Sequence, residues 1–273
     1  MFLGDTSFGE SYQQHREQKN EKNILTARGY AHCLKNMADV LGNADFVLAN
    51  LETPITDIAV SPFTGQKTYI HQADLVNTPA QLSAHRIRAV SLANNHSFDY
   101  GTGGLVETFG VLKAHGLTYI GAGKNDIEAA KPLLLEVNGA KNSLAIAIFA
   151  AFDASERFKE QVRGEPDSAA LQFLEVNQIG GLIKELKVVY PRLLTVAFPQ
   201  WGSNYKWRTL RQQRVAKSLL DAGIDLIIGH GAHMIQEVER RLADQVRHRP
   251  CPGSPWERTT RTLTLRRDAA CAA

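Results

Sequence analysis

Five polar fragments, each closing an apolar run, constrain this chain more than any other feature: Gly4-Asp5, Asn50-Leu51-Glu52, Asn94-Asn95-His96, Gln200-Trp201-Gly202, and Gly229-His230 with His233. Apolar runs at Phe46 to Ala49, Ala89 to Ala93, Leu193 to Phe198 and Asp225 to Ile228 precede four of them and read as buried strands. An open α/β sheet delivers the loops after such strands to one edge. The fragments therefore predict a single site gathered from several strand ends. Oxygen and imidazole donors collected there suit a metal ion.

The stretches between the strands carry helical spacing. Ala31 to Leu41, Asp74 to Ala84, Leu105 to Ala114, Ile179 to Val189 and Trp207 to Ala222 read as helices, the last ended by Gly223. Leu117 to Ile120 reads as a further strand, and the alternation is that of βαβ units. Leu133 to Val137 and Leu144 to Phe152, separated by Asn138-Gly139, predict a hairpin or two neighbouring strands. With 273 residues and 44% hydrophobic content, one main α/β domain is the simplest reading. It spans residues 2–240.

Beyond that boundary the character changes. Residues 241–273 hold seven Arg against Asp244, Glu257 and Asp268, lack Lys, and are interrupted by Pro250, Pro252 and Pro255. The segment reads as an Arg-rich tail, disordered or non-native. It carries the whole basic excess behind the formal charge of +3, with no aromatic platform beside it, so nucleic-acid binding is not expected. No apolar run reaches the roughly 20 residues of a membrane helix, and no signal peptide precedes Gly4-Asp5. As written, the chain is expected in the cytoplasm.

Taken singly, the polar fragments stay ambiguous. Asp5 reads equally as a turn carboxylate, and Glu52 in Asn50-Leu51-Glu52-Thr53-Pro54 as part of an Asx-turn. His230 and His233 form either a metal pair on a glycine-bearing loop or two surface histidines. Asn94, Asn95, His96 and Asp99 concentrate polar groups where they have little packing value. His15, His32, His71, His85, His115 and His248 lack such company and read as structural or surface residues. Nucleophile-elbow and phosphate-loop motifs are absent, and Gly121-Ala122-Gly123-Lys124 reads as a strand-to-helix turn.

Taken in order, Gly4-Asp5, Asn50-Leu51-Glu52-Thr53-Pro54, Leu92-Ala93-Asn94-Asn95-His96 with Asp99 and Gly101, Trp201-Gly202, and Gly229-His230 with His233 resemble the CapA-like capsule-synthesis family. That family is associated with poly-gamma-glutamate synthesis and is similar to the calcineurin-like metallophosphoesterases. The resemblance implies an α/β sandwich with a metal centre at its strand ends. It implies Asp5, Asn50, Glu52, Asn95, His230 and His233 as ligands of one or two divalent ions (Mn, Fe or Zn), and His96 and Asp99 as catalytic residues. Asn94, Gln200 and Trp201 would meet substrate.

The implied function is that of a metal-dependent hydrolase linked to poly-gamma-glutamate synthesis or processing. A noncatalytic accessory protein, binding an anionic polymer or a synthase partner, and a phosphodiesterase acting on a small phosphate ester are the alternatives. The resemblance also allows relatives to be membrane-anchored or exported. Two departures bear on the metal: Ser7 stands where the wider pattern has His, and Gln200 stands where the family has His before Trp-Gly. Relatives also carry a strand ahead of Gly-Asp and another after the last His, neither of which is expected from this sequence.

Overall fold

Strands buried on both faces need cover from both sides, and the chain supplies it with four layers. The computed structural model describes residues 1–137, 144–162, 168–242 and 245–249. One sheet is wholly parallel, in the order β1 (Phe2–Thr6), β2 (Val47–Leu51), β3 (Ile87–Ser91), β4 (Thr118–Ile120). The other contains β6 (Leu133–Val137), β7 (Leu144–Phe152), β9 (Leu193–Gln200) and β10 (Leu226–Ile227), in the order β10-β9-β7-β6, with only the β6–β7 pair antiparallel. Two short strands, β5 (Ala122–Gly123) and β8 (Ala170–Leu171), pair beside them.

Alternation along the strands sorts their side chains into layers. Leu48, Ala89, Ile120, Ile148, Ala150, Val196 and Phe198 pack against one another between the sheets. Val47, Ala49 and Leu51 turn the other way, onto Leu82 of α5 (Asn77–Ala84) and Leu105, Phe109 and Leu112 of α6 (Gly101–Ala114). Ala147, Phe149 and Ala197 meet Ile179 and Ile183 of α9 (Val176–Val189) and Leu219 of α10 (Leu210–Asp221). Burying a side chain such as Phe198 contributes about 1.5–3 kcal/mol. The result is the metallophosphoesterase-type α/β sandwich that the resemblance implies.

The remaining helices are short: α1 (Glu10–Gln18), α2 (Ile24–Arg28), α3 (Ala31–Leu34), α4 (Ala38–Gly42), α7 (Asp126–Ala129) and α8 (Glu156–Val162). The single helix expected over Ala31 to Leu41 is broken. Leu34, at φ −106° and ψ 2°, leaves helical geometry, a short 3-10 turn follows, and Leu41 then reaches full burial.

A strand leading into Gly-Asp was not expected from the sequence, yet β1 starts at Phe2 and runs on through Gly4 and Asp5. Phe2 packs on Phe198 with ring centroids 5.5 Å apart, giving the strand a reason to stay on the sheet edge. Between Leu3 and Asp5 the pairing with β2 slips, so that Leu3 opposes Ala49 and Asp5 opposes Asn50. Such a bulge re-aims a side chain, here Asp5 toward Asn50. After the last His, β11 (Val238–Leu242) pairs with β12 (Gln245–Arg249), so a strand does follow it. The expected tail thus begins within this hairpin, and residues 250–273 lie outside the described residues. So does the Asn138-Gly139 turn, although its flanking strands β6 and β7 do pair as a hairpin.

Candidate metal centre

Each polar fragment leaves the end of a parallel strand on the same edge, and the topology brings all five together. Asp5 sits at the end of β1, where Asn50 donates through Nδ2 to its Oδ1 at 2.9 Å. His230 Nδ1 lies 3.1 Å from the same oxygen, and His233 Nδ1 lies 3.0 Å from Asp5 Oδ2. Burial pushes the Asp5 carboxyl up, but the His230 hydrogen bond and charge, with Asn50 and His233, outweigh it and hold the pKa below its usual value. Asp5 is thus a carboxylate facing two imidazoles.

Glu52 has the opposite environment. Burial and the nearby Asp5 carboxylate push its pKa up to about 8, against the Gln200 hydrogen bond and Lys67. Gln200, at the end of β9, donates through Nε2 to Glu52 Oε1 at 2.9 Å and to Asn95 Oδ1 at 2.7 Å. Its Oε1 accepts from the Asn95 backbone N–H at 2.9 Å.

Asn94 is fully buried. Its Nδ2 donates to Asn50 Oδ1 and the Leu51 carbonyl, while its Oδ1 accepts from the Ser97 hydroxyl and from the backbone N–H groups of His96 and Ser97. With its amide committed this way, Asn94 builds the turn.

That turn presents His96, whose Nδ1 lies 2.7 Å from Asp99 Oδ2. Asp99 is buried and also accepts from the His71 backbone N–H at 2.6 Å, while Lys67 pairs with its Oδ1. A carboxylate accepting from all these donors sets His96 Nδ1 as a donor too and leaves Nε2 to carry the lone pair. The ring of His71 meets that of His96 edge-on at 4.0 Å between centroids. Burial and His96 push the His71 pKa down to about 4. Burial likewise lowers that of His96, with Asp99 pulling the other way.

Lys67 and His71 were not expected from sequence. They lie in a loop after Pro62 and Gly65, with no apolar run ahead of them to mark a strand end.

The last loop is held by close backbone approach. Trp201 N–H donates to the His230 carbonyl and His230 N–H to that of Pro199, both at 3.0 Å. A Cβ on Gly229 would stand 2.1 Å from Trp201 Nε1, so only glycine lets the indole lie there. Trp201 therefore buttresses the histidine loop. His233 itself sits at φ 52°, a left-handed conformation uncommon for a non-glycine residue, and this aims its ring at Asp5.

Asp5, Glu52 and His233 each offer one ligand atom, and these atoms lie within 4.8 Å of one another. His230 Nε2 is buried and has no hydrogen-bond partner. Two carboxylates and imidazole nitrogen form a donor set that fits Mn, Fe or Zn. The residues present therefore fit a divalent ion.

A family described as bacterial capsule synthesis protein PGA_cap matches residues 1–250. The chain belongs to this family. It is 27% identical over 227 residues, covering 81% of the chain and 53% of the relative, to a capsule biosynthesis protein CapA of Bacillus anthracis. It is 26% identical over 247 residues, 87% of the chain and 58% of the relative, to a PGA biosynthesis protein CapA of Bacillus subtilis. A probable polyglutamine synthesis accessory protein of Mycobacterium tuberculosis is 28% identical over 198 residues, 71% of the chain and 51% of the relative. The chain thus spans about half the length of the capsule-synthesis relatives it matches. Among the described residues, no helix is long and apolar enough to cross a membrane.

Proposed function

We propose that this chain is a metal-dependent hydrolase acting in the synthesis or processing of poly-gamma-glutamate capsule, with an anionic polymer as substrate. The observation that carries the reading is the convergence of Asp5, Glu52 and His233 ligand atoms within 4.8 Å, in a member of a capsule-synthesis family. A divalent ion held there would supply Lewis-acid polarisation of the scissile group and a nucleophile at neutral pH.

The chain's own residues supply the rest. Asp5, kept ionised by the two imidazoles, provides an anionic donor, and Glu52 a second carboxyl group that would give up its proton to an ion, both at strand ends that the sheet fixes in place. His96, oriented by Asp99 with its lone pair at Nε2, can take up a proton there and pass it on to a leaving group. Lys67 pairs with Asp99 and holds it in position.

The test is metal content after purification without chelator under Mn supplementation, followed by hydrolysis assays on gamma-linked glutamate oligomers and on a phosphodiester. Fewer than about 0.2 ions per chain would overturn the reading, since a formed site fills. Cleavage of the phosphodiester alone would favour the small-ester alternative.

A noncatalytic accessory role is favoured by one observation: Gln200 already satisfies Glu52 and Asn95 without an ion. One relative carries the word accessory in its own name. Calorimetric binding of polyglutamate or of a synthase partner, with no turnover in the presence of Mn, would support that role.

A further inference from the structure

We infer that the Gln200 carboxamide occupies the place a second cation would take, so that this centre holds one divalent ion, on the Asp5, Glu52 and His233 side. The inference rests on the metal-dependent reading above. Both N–H groups of Gln200 Nε2 are used, one on Glu52 Oε1 at 2.9 Å and one on Asn95 Oδ1 at 2.7 Å. A second cation drawn to those two oxygens would have to displace the amino group that already holds them.

The amide cannot serve as a ligand by flipping. Its Oε1 accepts the Asn95 backbone N–H at 2.9 Å, and a flip would set oxygen against Asn95 Oδ1 and an amino group against the Asn95 N–H. Nor can the side chain readily swing aside. It is 3% exposed, and the neighbouring Gly231 leaves so little room that a Cβ there would lie 2.6 Å from Gln200 Cγ. The partial positive charge of the amino group thus does part of what a cation would do, holding Glu52 and Asn95 in place.

The other side of the centre is not engaged by Gln200. Asp5 and His233 have no hydrogen bond to Gln200, and their ligand atoms and one of Glu52 stay within 4.8 Å of one another. A single ion seated there keeps the Gln200 network intact. The centre is then an ion on one side of Glu52 and an amide on the other.

The experiment is Mn stoichiometry by elemental analysis and calorimetry, with electron paramagnetic resonance of the loaded protein, on the wild type and Gln200→His. The wild type is expected to saturate at about one ion per chain with the six-line spectrum of isolated Mn, and Gln200→His at about two with an exchange-coupled spectrum. Gln200→Glu, which keeps the side-chain shape, covers the case in which the histidine variant fails to fold. Its stoichiometry is expected to rise likewise, and its melting temperature to depend more steeply on Mn than that of the wild type.

A wild type holding two coupled ions would overturn this inference and leave the metal-dependent reading standing. Folded variants that stay at one ion would show that Gln200 is not what excludes the second. A wild type that binds no Mn would overturn both.

Discussion

Lys67 pairs with Asp99 Oδ1, the oxygen that His96 leaves free, while His96 holds Oδ2. A fully buried carboxylate is thus compensated from both sides. Replacing Lys67 by Met keeps the stem and removes the charge, leaving Asp99 with the His96 ring and the His71 N–H. The half-exposed position of the lysine moderates the loss, and Lys67→Met is expected to destabilise by roughly 2–4 kcal/mol. Urea unfolding measures this, and a change under about 0.5 kcal/mol would contradict the pairing.

Asp99→Asn alters the His96 tautomer more than the fold. The carboxamide can turn its amino group to the ring, so that Nδ1 accepts and Nε2 carries the proton. Nitrogen NMR shifts of His96 are expected to report the exchange, and hydrolytic turnover to fall about 10²- to 10⁴-fold. Unchanged ring shifts would remove Asp99 from its orienting role.

Metal content separates the ligands from the proton carrier. His233→Ala is expected to lose most bound Mn, because it removes one of the convergent donor atoms, whereas His96→Ala is expected to retain it. Circular dichroism checks that both variants remain folded. Equal metal content in the two would undo the division of roles.

The raised pKa of Glu52 has a sign that can be read in chelated protein. Folded Glu52 keeps its proton up to about pH 8, while the unfolded chain releases it near 4.5. The contribution to stability is therefore fully present below the unfolded value and is lost as pH rises through that window. Denaturation midpoints in EDTA, compared with those of Glu52→Gln, isolate the group from the rest of the chain. A wild-type midpoint that tracked the variant across this range would refute the shift.

Gly229→Ala is expected to cost roughly 1–3 kcal/mol, because the new Cβ would fall 2.1 Å from Trp201 Nε1 and overpack the loop. The indole must then move, and the His230 carbonyl that its backbone holds moves with it. A variant with wild-type stability and metal content would show that Trp201 does not brace the loop.

Periodicity carried the strands, because buried parallel strands leave long apolar runs that nothing else in the chain imitates. Phe198 and Ile148 are legible in that way, and so are the polar residues that end each run. Lys67 and His71 are not, since an irregular loop leaves no period and only its tertiary course sets them against Asp99 and His96. Asn94 shows a different limit. Its place beside Asn95 and His96 is plain in the sequence, but the hydrogen bonds by which it builds the turn depend on the course of the chain, not the composition. The bulge at Gly4 was invisible for the same reason: a slip in register belongs to the pair of strands and is written in neither alone.

β1 and β10 are edge strands of different sheets, yet Asp5 reaches His230 and His233 just beyond β10. The centre therefore acts as a clasp, fastening one margin of the sandwich to the other. An ion lost from it would loosen a seam before it disturbed the layers beneath. A chain still on the ribosome cannot close the clasp until residue 233 has been made, so an ion held there would have to arrive after the synthesis of both sheets.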